Sequence, residues 1–389
     1  MSQSTEFIPY SKPEFGPEEE EAVIRVLRSG WLTTGPESYA FEQEFAAFIG
    51  VNHAVSVNSA TSGLHLALLG LGVEKGDRVA VPDYTFTATA EVLRYVGAEP
   101  ILIDCSPDSF QMDISQVEDL MRHKPGYLKA ALPVHFGGQP CYPEFWQSAR
   151  EKGLIVIEDC AHAFPVETPY GKVGNLGNIG VFSFYANKTI TTGEGGMIVS
   201  NNSKAIEKIK KLRLHGIDRD AFNRFQSKRP AWMYDVVELG HKYNLPDVLA
   251  AIGRVQLKKA LQLKQKRIEI AQFYISHKSQ FPNWEFPTLD TDNAWHLFPV
   301  LTPSADHRNL IIEKLFDRGV GTSVHYIPIH RLSFWKDLLN VTPAQFPYAE
   351  DRYQREISLP IGPGLNLETA KIVMERLLKV NREVYDTFT

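Results

Sequence analysis

The chain has 389 residues, 43% of them hydrophobic and 22% charged, an ordinary balance for a globular protein with a sizeable core. Lys and Arg number 41 and Asp and Glu 46, a net charge of −5, which argues against a nucleic-acid binder that relies on a basic face. Cys105, Cys141 and Cys160 are too few and too scattered for a disulfide framework or a CxxC metal site. No apolar run reaches the roughly 18–20 residues of a membrane span, and residues 1–13 lack the apolar stretch of a signal peptide. The expectation is a cytoplasmic protein of two domains, with no metal, no nucleic-acid partner and no membrane.

In chain order, the first strand is expected at residues 54–57, and the helix 61–71 follows it. Between them lies Ser59-Ala60-Thr61-Ser62-Gly63. Small residues at a helix N-terminus let backbone N–H groups and hydroxyls approach an anion, although an ordinary Ser/Thr cap has the same look. Strands at 78–81, 100–103 and 129–134 then alternate with helices at 87–96, 114–122 and 143–152. Val- and Ile-rich strands alternating with helices imply an α/β fold, a mostly parallel sheet covered on both faces. Such sheets bind ligands outside the carboxyl ends of their strands.

The strand at 154–158 runs into Glu158-Asp159-Cys160-Ala161-His162. Asp159 would be partly desolvated there, which is costly without a partner. A protonated ring nitrogen of a cofactor, a Mg²⁺ ion and a structural hydrogen bond all fit at this point. The segment 174–180 has three glycines without dinucleotide spacing and reads as a turn. After the strand 180–184, Lys188 stands between aromatic residues and the Gly-rich turn Gly193-Glu194-Gly195-Gly196, followed by a strand at 197–199 and a helix at 204–214. A lysine desolvated in such a place has a lowered pKa and becomes an amine nucleophile. An anion cup, then an Asp, then a Lys together meet the needs of pyridoxal 5′-phosphate (PLP), through its phosphate, ring nitrogen and aldehyde.

The loop 218–243 has little apolar periodicity. Beyond it the pattern changes to a helix at 250–267, a strand near 295–301, a helix at 310–318, a strand near 321–326 and a helix at 367–380. The basic end of the first of these, Lys264-Gln265-Lys266-Arg267, reads as a solvated face. Residues 1–250 are expected to form a large cofactor domain and 251–389 a smaller α+β domain.

The lysine segment, Ser183-Phe184-Tyr185-Ala186-Asn187-Lys188-Thr189-Ile190-Thr191-Thr192-Gly193-Glu194-Gly195-Gly196, is similar to that of the DegT/DnrJ/EryC1/StrS family of PLP-dependent sugar aminotransferases. The similarity extends to Gly30-Trp31-Leu32-Thr33-Thr34-Gly35-Pro36, Val81-Pro82-Asp83-Tyr84-Thr85-Phe86, Val134-His135-Phe136-Gly137-Gly138, Gly240-His241-Lys242-Tyr243-Asn244-Leu245 and His325-Tyr326-Ile327-Pro328-Ile329-His330. It implies a fold type I PLP transferase. By the same resemblance Lys188 forms the Schiff base and then moves the proton, and Asp159 pairs with the pyridine nitrogen. Phe86 stacks on the ring, His162 lies near its phenolic oxygen, and Thr61, Ser62 and Ser183 hold the phosphate. Asn244 reaches the phosphate of a neighbouring subunit, so a homodimer is implied. His330, Tyr326 and Arg219 belong at the sugar pocket. One branch of the family replaces the lysine with His and dehydrates; Lys188 argues against it. Family members often carry Gly-Thr-x-Ala where this chain has Ala60-Thr61-Ser62-Gly63, a change that keeps the residues small.

The motifs most resemble the C4-aminating branch. That implies L-glutamate as amino donor and a nucleotide-linked 4-keto-6-deoxy sugar as acceptor, UDP-linked first and of the GDP-perosamine type next. The diphosphate calls for cations, and Arg213, Arg219, Arg224 and Lys242 are the candidates.

Overall fold

The computed structural model describes residues 7–218, 232–290 and 292–385. The first half supplies strands β1 (His53–Val57), β2 (Arg78–Pro82), β3 (Glu99–Ile103), β4 (Ala130–Ala131) and β5 (Ile155–Asp159). A short hairpin, β6 (Glu167–Thr168) and β7 (Gly171–Lys172), precedes β8 (Ile179–Ser183) and β9 (Gly196–Ser200). Seven of these form one sheet in the order β1-β9-β8-β5-β4-β2-β3. The pairs from β8 to β3 are parallel, and β9 runs against both its neighbours. Val79, Ala80 and Val81 of β2 are fully buried, as a strand covered on both faces requires.

The strand expected at 129–134 shrinks to Ala130–Ala131. Pro133 has no N–H to give the ladder; its carbonyl instead accepts from Asp159 N at 2.9 Å.

One face of the sheet carries α3 (Ala60–Leu71), α4 (Ala88–Tyr95) and α7 (Ser203–Leu212), whose Leu, Val and Ile side chains share a core with Val55, Val79 and Val181. Helices α5 (Ile114–His123) and α6 (Pro143–Glu151) pack on Ala80, Ala131 and Val156. Two helices precede the sheet, α1 (Pro17–Ser29) and α2 (Pro36–Ile49). On the far face of the sheet, Phe41 and Phe45 of α2 meet Phe164, Phe182 and Phe184. The N-terminus of α2 begins after Gly35, which has no capping side chain. Asp247 caps it from a distance, accepting from Gly35 N at 2.7 Å and Ser38 N at 3.0 Å.

The helix expected at 250–267 is longer: α8 runs Asp247–Ser276. Leu257, Ala260 and Leu263 belong to the core around Phe41, while Ile270, Ala271 and Tyr274 belong to a second core with Phe298, Val300, Ile357 and Leu377. The proposed domain boundary at residue 250 therefore falls in the first turns of α8, and the change of core falls between Leu263 and Ile270. The second core is built from β10 (Pro299–Leu301), β11 (Glu356–Ser358), α9 (Ala305–Asp317) and α12 (Leu367–Tyr385), with α10 (Ser333–Leu339) and α11 (Pro347–Arg355) between. Ile8 joins this core from the N-terminus and bonds to Gly319 and Gly321. The strand expected at 321–326 is absent; the segment forms only single bridges, Val320 to Ile8 and Ser323 to Ser358. Among the described residues no helix is long and apolar enough to cross a membrane.

Candidate active site

A cavity of about 440 Å³ opens at the carboxyl ends of β1, β2, β5 and β8, where an open α/β sheet places its ligands. Each strand delivers residues to it: Ser59 and Thr61 after β1, Thr85 and Phe86 after β2, Asp159 and His162 at β5, Ser183 at β8. Lys188 and Tyr326 complete the wall. Seven of the residues expected from the sequence thus meet in one place: Thr61, Phe86, Asp159, His162, Ser183, Lys188 and Tyr326.

The position of Thr61 follows from how α3 begins. Ser59 Oγ accepts from Ser62 N at 3.1 Å, and Ser62 Oγ accepts from Ser59 N at 3.2 Å, a reciprocal cap. A Cβ on Gly63 would lie 2.7 Å from Val181 Cγ1. The missing side chain lets the helix sit directly on β8 with its N-terminus facing the cavity.

Asp159 is buried, and its Oδ2 accepts from Thr89 Oγ1 at 2.9 Å and its Oδ1 from Ala161 N at 3.1 Å. Burial raises its pKa, against the pull of those two bonds and of Lys188. It forms no ion pair among the described residues. Lys188 is half-buried, and burial brings its pKa down to about 7; Asp159 opposes that shift and Arg267 adds to it. Its Nζ lies 3.2 Å from His296 Nε2. Gly137 N donates to His162 Nδ1 at 3.3 Å, and His162 Nε2 is 2.9 Å from Tyr326 Oη. With Nδ1 accepting, Nε2 carries the proton and donates to the tyrosine. Phe86 is 57% exposed, an aromatic face open to whatever fills the cavity.

Other expected residues lie elsewhere. Ser62 is spent on its own helix cap and on Asn58, not on the cavity. Asn244 lies beside the end of β1, outside the cavity, with its amide on Thr34 and its carbonyl on Lys242. His330 does not line the cavity either. It is buried, with Nδ1 2.6 Å from Asp83 Oδ2 and Nε2 2.7 Å from Glu350 Oε1, and it fastens its loop to the end of β2. Arg213 is no free cation: it is buried against Glu42 and Ser56. Lys242 is exposed. Arg219 and Arg224 lie outside the described residues.

Of the basic stretch 264–267, Arg267 alone departs from the solvated face that its composition suggests. Arg267 is fully buried, and its guanidinium donates to the carbonyls of Asn187, Trp295 and His296 at 2.9, 3.2 and 3.2 Å. No local pattern in the sequence marks His296, which stands in an apolar stretch 108 residues from the lysine it faces. His325, the first residue of the 325–330 motif, is held by a hydrogen bond, its Nδ1 2.8 Å from Ser358 Oγ. Glu158, beside Asp159, points the other way. It accepts from Gly174, Leu176 and Gly177 N and pairs with His135 at 3.0 Å, so it tightens the 174–180 turn.

These residues fit PLP. A buried carboxylate without a cation suits a protonated ring nitrogen, an aromatic face lies open beside it, a helix N-terminus with a free hydroxyl suits a phosphate, and an amine near neutrality suits an aldehyde. The DegT/DnrJ/EryC1/StrS aminotransferase family model matches residues 13–378. The spore coat polysaccharide biosynthesis protein SpsC of Bacillus subtilis is 37% identical over 382 residues, 96% of this chain and 97% of that one. Helicobacter pylori PseC, an aminotransferase involved in the biosynthesis of pseudoaminic acid, superposes with a TM-score of 0.89 at 34% identity, covering 97% of this chain and 100% of that one. The PLP-form of Spr1654 from Streptococcus pneumoniae gives 0.88 at 30% identity, with 97% and 99% covered. The chain therefore belongs to the DegT/DnrJ/EryC1/StrS aminotransferase family and is a PLP-dependent sugar aminotransferase.

Proposed function

We propose that this enzyme moves the amino group of L-glutamate to C4 of a nucleotide-linked 4-keto-6-deoxy sugar, UDP-linked in preference to GDP-linked, for amino-sugar and surface-glycan biosynthesis. The observation that carries the reading is an amine poised near pH 7, Lys188, in one cavity with the buried carboxylate of Asp159. The choice of C4 rests on the motifs around residues 215–220, 240–245 and 325–330.

Bound PLP supplies the carbonyl that takes up the amino group and an electron sink for the charge that develops beside it. The chain's residues do the rest. Asp159 holds the proton on the cofactor's ring nitrogen. Thr61, the α3 N-terminus and Ser183 hold the phosphate, and Phe86 covers one ring face. Lys188 Nζ, with a pKa near 7 and so in good part a free amine at neutral pH, takes a proton from the donor carbon in one half of the reaction and delivers one to the sugar carbon in the other. His162 keeps its Nε2–H on Tyr326 Oη, which leaves the tyrosine's own proton free for an acceptor inside the cavity.

Asn244 is assigned to the phosphate of a second copy, so the working form is a homodimer. Its place outside the cavity of its own chain supports this reading. The sugar-pocket role given to His330 passes to Tyr326, while Arg219 stays assigned to the sugar nucleotide. The cytoplasmic location expected from the sequence is kept.

The test is a screen of UDP-, GDP- and dTDP-linked 4-keto and 3-keto sugars with PLP and L-glutamate, read by mass spectrometry. A glutamate-dependent 4-amino sugar is the expected product. A 3-amino sugar overturns the regiochemistry, and a deoxy-keto sugar overturns amino transfer in favour of dehydration.

A further inference from the structure

The amine of Lys188 has a neighbour behind the cavity wall. His296 Nε2 stands 3.2 Å from its amine, on a buried ring. The other ring nitrogen, Nδ1, is also buried and has no hydrogen-bond partner. Burial, reinforced by Lys188, His162, Arg267 and His325, keeps this imidazole well below its usual pKa and therefore neutral. A neutral imidazole carries one N–H and one bare nitrogen. Orphaned N–H groups are rarer in protein interiors than under-satisfied acceptors. The unpartnered Nδ1 is thus the bare one, and the proton sits on Nε2, aimed at Lys188.

An ammonium has three donors and no acceptor. A donor on Nε2 can meet Lys188 only when the lysine is a free amine. We propose that His296 donates its Nε2–H to the uncharged amine of Lys188 and so holds that amine, whenever it is not bonded to the cofactor, as a free base turned toward the cavity. The inference rests on the reading of Lys188 as the cofactor lysine. The two residues are also tied through the backbone. One guanidinium, that of Arg267, bonds the carbonyl of Asn187, next to Lys188, and the carbonyl of His296 itself.

The test follows the charge on Lys188 in the full-length protein freed of cofactor. The protein is acetylated with acetic anhydride across a pH series, and the peptide bearing Lys188 is measured by mass spectrometry. The other groups facing the lysine stay in place in every variant: Asp159 and His162 after β5, Arg267 on α8, Glu194 in the turn before β9, and His325 and Tyr326 in their loop. The wild-type midpoint is expected at about 7. His296→Phe keeps a buried ring and removes the donor, and the midpoint should rise by about one unit. His296→Gln, whose amide can donate from a similar position, should restore it. If His296→Phe does not keep its melting transition, His296→Met, which fills irregular gaps, replaces it.

An unchanged or lowered midpoint in a folded variant overturns the proposal. The underlying reading fails differently: borohydride would then fix PLP to a lysine other than Lys188, whatever the midpoints show.

Discussion

Arg267→Met is the substitution that best separates holding the fold together from holding the site. Burial brings the pKa of Arg267 from 12.5 to about 10, and at 1.36 kcal/mol per pH unit this is about 3 kcal/mol against its charge. Three bonds at 2.9–3.2 Å to carbonyls offset that cost, since a bond to a charged donor contributes about 1.5–3 kcal/mol. The guanidinium forms no ion pair among the described residues, and its Nε has no partner. Methionine removes the buried charge together with the bonds, so most of the two effects cancel. The expected net loss is about 1–3 kcal/mol, or a few degrees in Tm for a chain of this size.

Catalysis should suffer more. Arg267 is the tie between the peptide before Lys188 and the residues at 295–296, and a shift of about 1 Å in a reacting group costs on the order of 100-fold. The assay is the donor half-reaction alone: excess L-glutamate is mixed with PLP-loaded enzyme, and the loss of the cofactor's visible absorbance is timed in a single turnover. Arg267→Met should slow it by about 10–100-fold at a temperature where both proteins are folded. Arg267→Lys should recover little, because one point charge cannot reach carbonyls on two sides as a fork does. A folded Arg267→Met protein that turns over within threefold of wild type would refute the positioning role.

Four further outcomes follow from the same geometry. Lys188→Met should stabilise the cofactor-free protein by about 1–3 kcal/mol. Because the folded pKa, about 7, lies below the ordinary 10.5, the gain in urea unfolding should be absent above pH 10.5, grow as pH falls, and level off below 7. His330→Ala should cost about 3–5 kcal/mol by leaving Asp83 buried without its partner. Burial opposes the charge on His330, but the bonds to Asp83 and Glu350 raise its pKa above the usual 6.5. Its contribution is therefore whole below 6.5 and lost as pH rises through the raised value, which unfolding at acid and alkaline pH will read. Thr61→Val should weaken PLP binding about tenfold in a cofactor titration. Ser62→Ala should leave PLP affinity near wild type and lower stability by about 1 kcal/mol, as loss of a helix cap does.

What the sequence reveals is what lies close together along it. The segments after β1, β5 and β8 each carry a ligand-facing residue within a few positions of a strand end, and Thr61, Asp159, Ser183 and Lys188 all line the cavity as expected. The failures have a common cause as well. Arg267 sits in a run of charges whose composition says solvent, yet its turn of α8 passes behind the lysine loop and buries it. His330 has the same motif context as Tyr326. A difference of four residues turns one side chain into the cavity and the other between Asp83 and Glu350, two carboxylates distant in sequence. Ser62 and Thr61 are adjacent on one helix turn, and only three-dimensional capping decides which hydroxyl is free. Period and spacing describe faces of local elements; they carry no information on which distant segment packs against a face.

The electrostatics of the site come down to a small number of fixed charges. Three imidazoles surround Lys188, and burial keeps all three uncharged: His162 and His296 well below the usual range, His325 at about 4. Among the groups that act on the lysine's charge, that leaves Asp159, which favours the ammonium, and Arg267, which opposes it. A general base works best with a pKa near the working pH, and the balance of burial with these two charges puts Lys188 there. Without Arg267 the lysine drifts toward the ammonium and loses its value as a base. Without Asp159 it becomes a freer base, but the cofactor's ring nitrogen has no counterion and the electron sink fails. A higher pH can return the free amine lost with Arg267, though not the position that Arg267 holds, whereas no pH supplies the counterion lost with Asp159.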